Sequence, residues 1–171
     1  MKTNKDIVLD VRDLTMLSAA EIAALGQLSV SAWQEIKGGS FSESVEAWQE
    51  GPKNLILGLC FRSQGQPVGM TLFKRPPLSP SWASYNAATI HGLKIASPLQ
   101  GKGLGHQAFN LAVQSLRETW SDVSELMLGV DADNAAALAV YRAYGMEDSG
   151  PIFEGQNGPE NRLNLTFTSQ V

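Results

Sequence analysis

The stretch Gln100-Gly101-Lys102-Gly103-Leu104-Gly105-His106 separates residues 88–96, which have the pattern of a β-strand, from residues 104–120, which have the pattern of a helix. Three glycines in five positions allow the backbone to turn sharply and to approach a ligand closely. A helix that begins in this turn directs its unpaired N–H groups and the positive end of its dipole toward that ligand. The stretch therefore predicts an anion-binding turn, with phosphate as the usual ligand.

Two other phosphate-binding motifs do not fit this glycine turn. A P-loop requires Ser or Thr directly after Gly-Lys, whereas Gly101-Lys102 is followed by Gly103. The dinucleotide motif requires Gly-x-Gly-x-x-Gly, whereas Gly105 comes one position too early for it. The plain alternative is a flexible helix start without a ligand. Because glycine in a helical turn costs about 1 kcal/mol relative to alanine, three of them favour a functional reason.

The remaining patterns predict a mixed α/β domain over residues 1–171. Ser18 and Glu21 form a capping-box pattern, and apolar residues then recur at helical spacing until Ile36, before Gly38-Gly39 ends the helix. Shorter patterns predict strands at 7–12, 54–61, 68–74 and 125–130, helices at 42–50 and 135–144, and two strands within 152–167. The predicted order is therefore β-α-α-β-β-β-α-β-α-β-β.

Two motifs occur on either side of the predicted 125–130 strand. The first is the stretch from Gln100 to Gly105, and the second is Asn134, followed by Tyr141, Gly145 and Met146. Together they resemble the acyl-CoA signatures of the GNAT superfamily of N-acyltransferases. Two positions depart from the family pattern: Met146 occurs where Phe is commoner, and Ser97 where Pro is frequent.

The resemblance implies a GNAT-like fold, with a mixed, largely antiparallel central sheet flanked by helices, and acetyl-CoA as co-substrate. The diphosphate of coenzyme A would lie on the backbone N–H groups of Gly101, Lys102, Gly103, Leu104 and Gly105. Gln100 would add a polar contact, and the backbone of Ile95 would pair with the pantetheine arm. Lys102 and His106 would each either contact a phosphate or face solvent, and Asn134 would contact the cofactor, cap a helix, or do both.

Tyr141 resembles the general acid of the family. The leaving sulfur is a thiolate whose conjugate acid has a pKa near 8.5, and a phenol with a pKa near 10 can protonate it at a cost of about 2 kcal/mol. The alternative is an aromatic residue that only packs.

His91 is the candidate base, because some family members carry a histidine implicated in deprotonation at this position. Histidine titrates near neutral pH and can relay protons through water. The alternative is a hydrogen-bonded strand histidine without a catalytic task. Glu35, Glu43 and Glu46 are further candidates for the base, or else belong to solvated helix faces.

The resemblance implies an N-acetyltransferase that transfers an acetyl group to a primary amine of a small molecule or peptide, by direct attack in a ternary complex. A non-catalytic acyl-CoA-binding or regulatory module on the same fold is the alternative. Five aromatic residues are candidates for the wall that contacts the acceptor: Trp33, Phe41, Trp48, Trp82 and Tyr85. For Trp33 and Trp48, however, the helical spacing favours a position in the core. We expect no metal, because residues 131–142 lack the Gly and Glu of an EF-hand.

Composition and charge narrow the partners. The net charge of −4 and the absence of a basic stripe argue against nucleic acid, and no apolar run approaches the length of a membrane span. Residues 1–6 lack the apolar core of a signal peptide, and the single Cys60 lies in an apolar run as an inert core residue. We therefore expect a cytoplasmic protein. Homodimers are common in the family, so a homodimer is a further expectation.

Overall fold

A computed structural model describes residues 6–150 and 153–168 of the chain. Its strands form one eight-stranded sheet in the order β1-β2-β3-β4-β5-β8-β6, with β7 paired to β8. All neighbouring strands are antiparallel except β4 and β5. The strands are β1 (Asp10–Asp13), β2 (Ile56–Ser63), β3 (Gln66–Lys74), β4 (Ala87–Ile95), β5 (Glu125–Asp131), β6 (Glu147–Asp148), β7 (Phe153–Gly155) and β8 (Gly158–Thr166).

The helices begin at polar caps or at the glycine turn, and they cover both faces of the sheet. They are α1 (Ala19–Gly26), α2 (Ala32–Gly38), α3 (Phe41–Glu50), α4 (Leu104–Thr119) and α5 (Ala135–Tyr144). Ser18 and Glu21 form the predicted capping box, and Asn134 caps α5, which ends at Gly145 in the left-handed region. The expected mixed, largely antiparallel sheet flanked by helices is therefore confirmed.

Two hydrophobic clusters lie on opposite faces of the sheet. One packs α4 and α5 against the sheet through residues such as Phe109, Leu116 and Leu128, and the other packs α1 and α3 through residues such as Leu25 and Phe41. Both clusters take alternating residues from β2, because successive side chains of a strand point to opposite faces. No helix among the described residues has the length and apolar character needed to cross a membrane.

The helix predicted from Ser18 to Ile36 is in fact two helices. The chain leaves the helical conformation after Gly26, and Ser31 begins α2 with a second capping box, in which the partner is Gln34. The apolar spacing therefore runs across a break in the helix, and Trp33 and Ile36 are 48% and 64% exposed. The prediction of a core position was wrong for Trp33 and right for Trp48, which is buried on α3.

The C-terminal part holds one more strand than predicted. The additional strand, β6, pairs with β8. Because it is only two residues long, it has no periodic pattern from which it could be predicted. The two predicted strands correspond to β7 and β8, while Ile152 lies outside the described residues.

Candidate acyl-CoA and acceptor site

A cleft opens where β4 and β5 separate. The two parallel strands are paired only at Ala87–Thr89 and Glu125–Met127, and no further register pair joins them. Residues 90–95 of β4 and 128–131 of β5 therefore flank a gap in the sheet. The cleft widens into a cavity of about 1020 Å³. Its wall includes all the predicted site residues except Lys102. Other residues of the wall are Trp33, Gln34, Lys37, Trp82, Lys94, Asp131, Asn157 and Glu160.

The glycine turn leads from this gap into α4. Gly101 and Gly103 have φ values of 75° and 76°, in the left-handed region that glycine adopts without strain. A Cβ added to either glycine would meet no atom within 4 Å. Gly103 is the N-cap of α4 and supplies no side-chain hydrogen bond to the first turn. The turn thus presents uncapped N–H groups beside open space, which fits an anionic ligand.

Gly105 has a different task from the other two glycines. It lies inside α4, and a Cβ at this position would lie 3.4 Å from Val140 Cγ2 of α5. That distance is an ordinary van der Waals contact, so a small side chain at position 105 would pack against α5, whereas one at Gly101 or Gly103 would meet open space.

Gln100 braces the start of the turn. Its side-chain Nε2 donates to the Ile95 carbonyl at 2.8 Å, and its amide exchanges two hydrogen bonds with the Gln34 amide at 2.7 and 2.8 Å. The contact with the Ile95 carbonyl ties the turn to the end of β4, where that carbonyl also borders the cleft. Lys102 and His106 are both exposed, and of the two only His106 lines the cavity.

Tyr141 lies on α5 and is buried between that helix and α4. Its ring makes an edge-to-face contact with Phe109 at a centroid distance of 5.1 Å, and the residue lines the cavity. Burial raises the pKa of the Tyr141 phenol to about 12. The hydroxyl therefore holds its proton at every physiological pH, while the ring also performs the packing task.

His91 lies on β4, opposite Leu72 in the register, and lines the cavity. One ring nitrogen, Nε2, is 2.7 Å from Thr89 Oγ1. Burial, with a smaller contribution from Lys74, lowers the pKa of His91 to about 4. The ring is thus neutral at physiological pH. Glu35, Glu43 and Glu46 are exposed on α2 and α3 and do not line this cavity.

Asn134 borders the cavity at the start of α5. Its Oδ1 accepts a hydrogen bond from the Ala137 N–H at 3.3 Å, so the residue caps the helix. Lining the cavity as well, it retains a side-chain amide NH₂ group for a ligand.

Sequence patterns did not identify several residues that line the cavity. Lys37 of α2 forms ion pairs with Asp131 at 3.0 Å and with Asp133 at 2.8 Å, which raise the pKa of the lysine. Asn157 of the β7–β8 turn donates to the Ile36 carbonyl at 3.1 Å. With the amide pair between Gln34 and Gln100, these contacts fasten α2 to both sides of the cleft. Such long-range polar pairs leave no periodic signal in a sequence.

The predicted aromatic wall is only partly present. Trp33 and Trp82 line the cavity, whereas Phe41 and Trp48 are buried in the core of the α1–α3 face. Tyr85 is 85% exposed and does not line the cavity.

Cys60 is fully buried, as predicted, and burial raises the pKa of its thiol to about 12. Within residues 6–150 and 153–168, no group of three or more His, Cys, Asp or Glu side chains is arranged to hold a metal ion.

Comparison with solved structures identifies the fold. The chain superposes on an aminoglycoside acetyltransferase in complex with coenzyme A, with a TM-score of 0.73, 16% identity and coverage of 92% of this chain and 94% of the other. It also superposes on spermidine N-acetyltransferase from Vibrio cholerae in complex with CoA and spermine (TM-score 0.70, 18% identity, coverage 92% and 95%). A third match is the ribosomal-protein-S18-alanine N-acetyltransferase from Escherichia coli (TM-score 0.59, 19% identity, coverage 92% and 91%).

Comparison with curated protein sequences finds no match. A match to a sequence family, in contrast, covers most of the chain: residues 22–146 match the acetyltransferase (GNAT) family. The matched range contains the glycine turn, the cleft strands and α5 with Tyr141. The chain therefore belongs to the GNAT acetyltransferase family.

Proposed function

We propose that this protein transfers an acetyl group from acetyl-CoA to a primary amine of a small molecule or peptide. One observation carries the proposal: the uncapped glycine turn at the start of α4 opens into the same cavity as Tyr141 and the gap between β4 and β5. Membership of the GNAT acetyltransferase family supports it. Acetyl-CoA would supply the acetyl group as an activated thioester, and an amine bound in the same cavity would attack it directly.

The glycine turn is our candidate for the diphosphate site. The backbone N–H groups of residues 101–105 would receive the phosphates, and Lys102 and His106 at the exposed rim would add cationic or hydrogen-bonding contacts. Gln100 would hold the turn in place rather than extend toward the ligand, because its amide is already engaged. The backbone of Ile95 and the side chain of Asn134 would contact the pantetheine arm from the two walls of the cleft.

Tyr141 is our candidate for the general acid. Its Oη proton would pass to the departing sulfur. With a phenol pKa of about 12 and an ordinary thiol pKa near 8.5, the mismatch would cost about 5 kcal/mol. Desolvation also raises a thiol pKa, however, as it does for Cys60. A sulfur that leaves into the buried surroundings of Tyr141 is therefore a stronger proton acceptor than in water. The difference between the pKa values of the phenol and the thiol is then smaller.

His91 is our candidate for the proton acceptor, in a limited role. Because its pKa is about 4, the ring is a weak base, although it is always unprotonated when an amine arrives. An amine with a pKa near 8 needs only about 1.4 kcal/mol to lose its proton at pH 7, whereas a lysine-like amine needs about 4.6 kcal/mol. His91 can relay the proton of the first class of amine to solvent through water. This favours acceptors of modest basicity.

Two aromatic residues are our candidates for the wall that contacts the acceptor. Solved GNAT structures of the same fold include aminoglycoside and spermidine acetyltransferases. In this chain Trp33 and Trp82 line the corresponding cavity and can stack on an amine-bearing ligand. We further propose that the protein acts in the cytoplasm, where a reduced Cys60 is expected, and as a homodimer, which light scattering would test.

The proposal is tested by calorimetric titration with acetyl-CoA and by an amine screen with wild type and Tyr141→Phe. Micromolar acetyl-CoA binding is expected for both proteins, because the phenol oxygen is not assigned to the diphosphate site. Turnover should fall by about 100-fold or more in Tyr141→Phe. Unchanged turnover would contradict the acid role. Tight binding without turnover on any amine would favour a non-catalytic acyl-CoA-binding module instead.

A further inference from the structure

Lys94 is a buried cation on β4 that the proposed mechanism does not use. The residue is 7% exposed and lines the cavity. Its ammonium donates to Ser44 Oγ at 2.6 Å and lies 5.7 Å from the centroid of the Phe41 ring. Since an ammonium carries three donors, this contact leaves two of them for another partner.

A bulge in β4 aims the side chain of Lys94. Met70 pairs with Lys94 and Leu72 with His91, so two residues of β4, Gly92 and Leu93, lie opposite Thr71 alone. Gly92 has a φ of 61°, and a Cβ there would lie 2.8 Å from Lys94 Nζ and 3.0 Å from the Gly38 carbonyl. The positive φ favours glycine at position 92, and a side chain there would crowd both the Gly38 carbonyl and the ammonium. The ammonium is thereby held against Ser44 and Phe41 of α3.

The other lysine of the cavity wall is neutralised, whereas Lys94 is not. Lys37 pairs with Asp131 and Asp133. None of the ion pairs found within residues 6–150 and 153–168 includes Lys94. Burial lowers the pKa of Lys94 to about 8, against the attraction of Glu43 on α3. A buried ammonium without an ion-pair partner is destabilising by itself. Since Lys94 belongs to the cavity wall, an anionic ligand would supply the missing partner.

We propose that Lys94 anchors a carboxylate of the acceptor, and that the acceptors are small molecules carrying both a primary amine and a carboxylate. This inference rests on the acetyltransferase function proposed above. The two remaining donors of Lys94 match the two oxygens of one carboxylate. A phosphate would bring a second negative charge that Lys94 alone does not balance, toward a cavity wall that also holds Asp131 and Glu160.

The test compares matched acceptors that differ by the carboxylate. The common α-amino acids are assayed against the amines obtained from them by decarboxylation, with wild type, Lys94→Met and Lys37→Met. We expect wild type to favour the amino acid of an accepted pair by about tenfold or more in kcat/KM, mainly through KM. Lys94→Met should raise the KM for the amino acid toward that for its decarboxylated amine, so that only the difference due to the basicity of the two amines remains. Lys37→Met, which removes a paired cation, should change both rates alike and keep the preference.

Three outcomes would overturn the proposal. The first is a wild type that acetylates amines without preferring those with a carboxylate. The second is an equal loss on both members of a pair in Lys94→Met, with a shifted acid limb of the pH profile, which would make Lys94 a proton acceptor. The third is an acetyl group found on Lys94 by mass spectrometry after incubation with acetyl-CoA alone.

A binding measurement separates this inference from the function on which it rests. Calorimetric titration of the same acceptor pairs into wild type and Lys94→Met does not require turnover. Carboxylate-dependent binding that is lost in Lys94→Met supports the anchor even when no product forms. Absence of acetyl-CoA binding to the folded protein would instead contradict the acetyltransferase function itself.

Discussion

Burial changes the acid–base character of three side chains in the cleft. It lowers the pKa of His91 and Lys94 to about 4 and about 8, and it raises that of Tyr141 to about 12. In each case removal from water disfavours the charged form. The cleft therefore holds a histidine without charge, a tyrosine that keeps its proton, and a lysine that is close to losing its own. In the mechanism proposed above, a neutral His91 and a protonated Tyr141 are the states that the proton acceptor and the proton donor need before the reaction.

The shift of His91 predicts an acid-sensitive stability. The unfolded chain binds a proton near pH 6.5, whereas the folded protein does so only near pH 4, so stability is lost as the pH falls through this range. Wild type should lose up to about 3 kcal/mol of unfolding free energy relative to His91→Gln between pH 6.5 and pH 4. Urea denaturation at several pH values measures it. A difference between wild type and His91→Gln that does not change with pH would refute the shift.

At the scale of elements, the glycine turn allows a test with a matched control. Gly103 and Gly65 have φ values of 76° and 77°, and a Cβ at either position would meet no atom within 4 Å. Alanine should therefore cost about 1 kcal/mol of stability at both positions. Gly103→Ala should raise the Kd for acetyl-CoA by about tenfold, because Gly103 belongs to the proposed phosphate turn. Gly65→Ala should leave the Kd unchanged, because Gly65 lies in the β2–β3 hairpin. Equal Kd values for the two variants would remove the turn as the phosphate site.

Elements whose structure is set by residues close together in the chain could be predicted, and those set by contacts between distant residues could not. The turn, α4 and α5 follow from residues close together in the chain, such as Gly103 and Asn134, and both helices lie where the patterns predicted them. The boundary between α1 and α2 was missed, because apolar residues happen to continue at helical spacing across Ser31. Lys94 was missed because the bulge opposite Thr71 decides which face it occupies, and pairing with β3 sets that bulge.

At the scale of the whole molecule, α2 joins the two sides of the open sheet. It has no buried residue and is held by polar contacts: Gln34 to Gln100 on the β4 side, and Lys37 to Asp131 and Asp133 on the β5 side. A helix without a buried apolar face lacks the contribution that usually dominates the stability of a packed helix. We therefore expect α2 to open at a lower free-energy cost than the helices that bury an apolar face.

Hydrogen exchange tests this arrangement. The amides of α2 should exchange faster than those of α4, whose apolar face is in the core, and acetyl-CoA should slow them because Gln100 precedes the phosphate turn. Lys37→Met should accelerate exchange in α2. Arg62→Met, which breaks the ion pair to Asp10 between β1 and β2, is the control and should leave α2 unchanged. If the amides of α2 exchange as slowly as those of α4, the expectation that α2 opens more readily is wrong.

Because Cys60 is buried, the folded protein offers no reactive thiol of its own to a thiol reagent. The chain has one cysteine, which is fully enclosed by the core and whose thiol has a pKa of about 12. An aromatic disulfide reagent consumes thiolates, so in the folded state it will react with coenzyme A released by turnover and leave the enzyme unlabelled. The same reagent, added without substrate, turns Cys60 into a reporter of opening of the core, since each molecule that unfolds yields one coloured product.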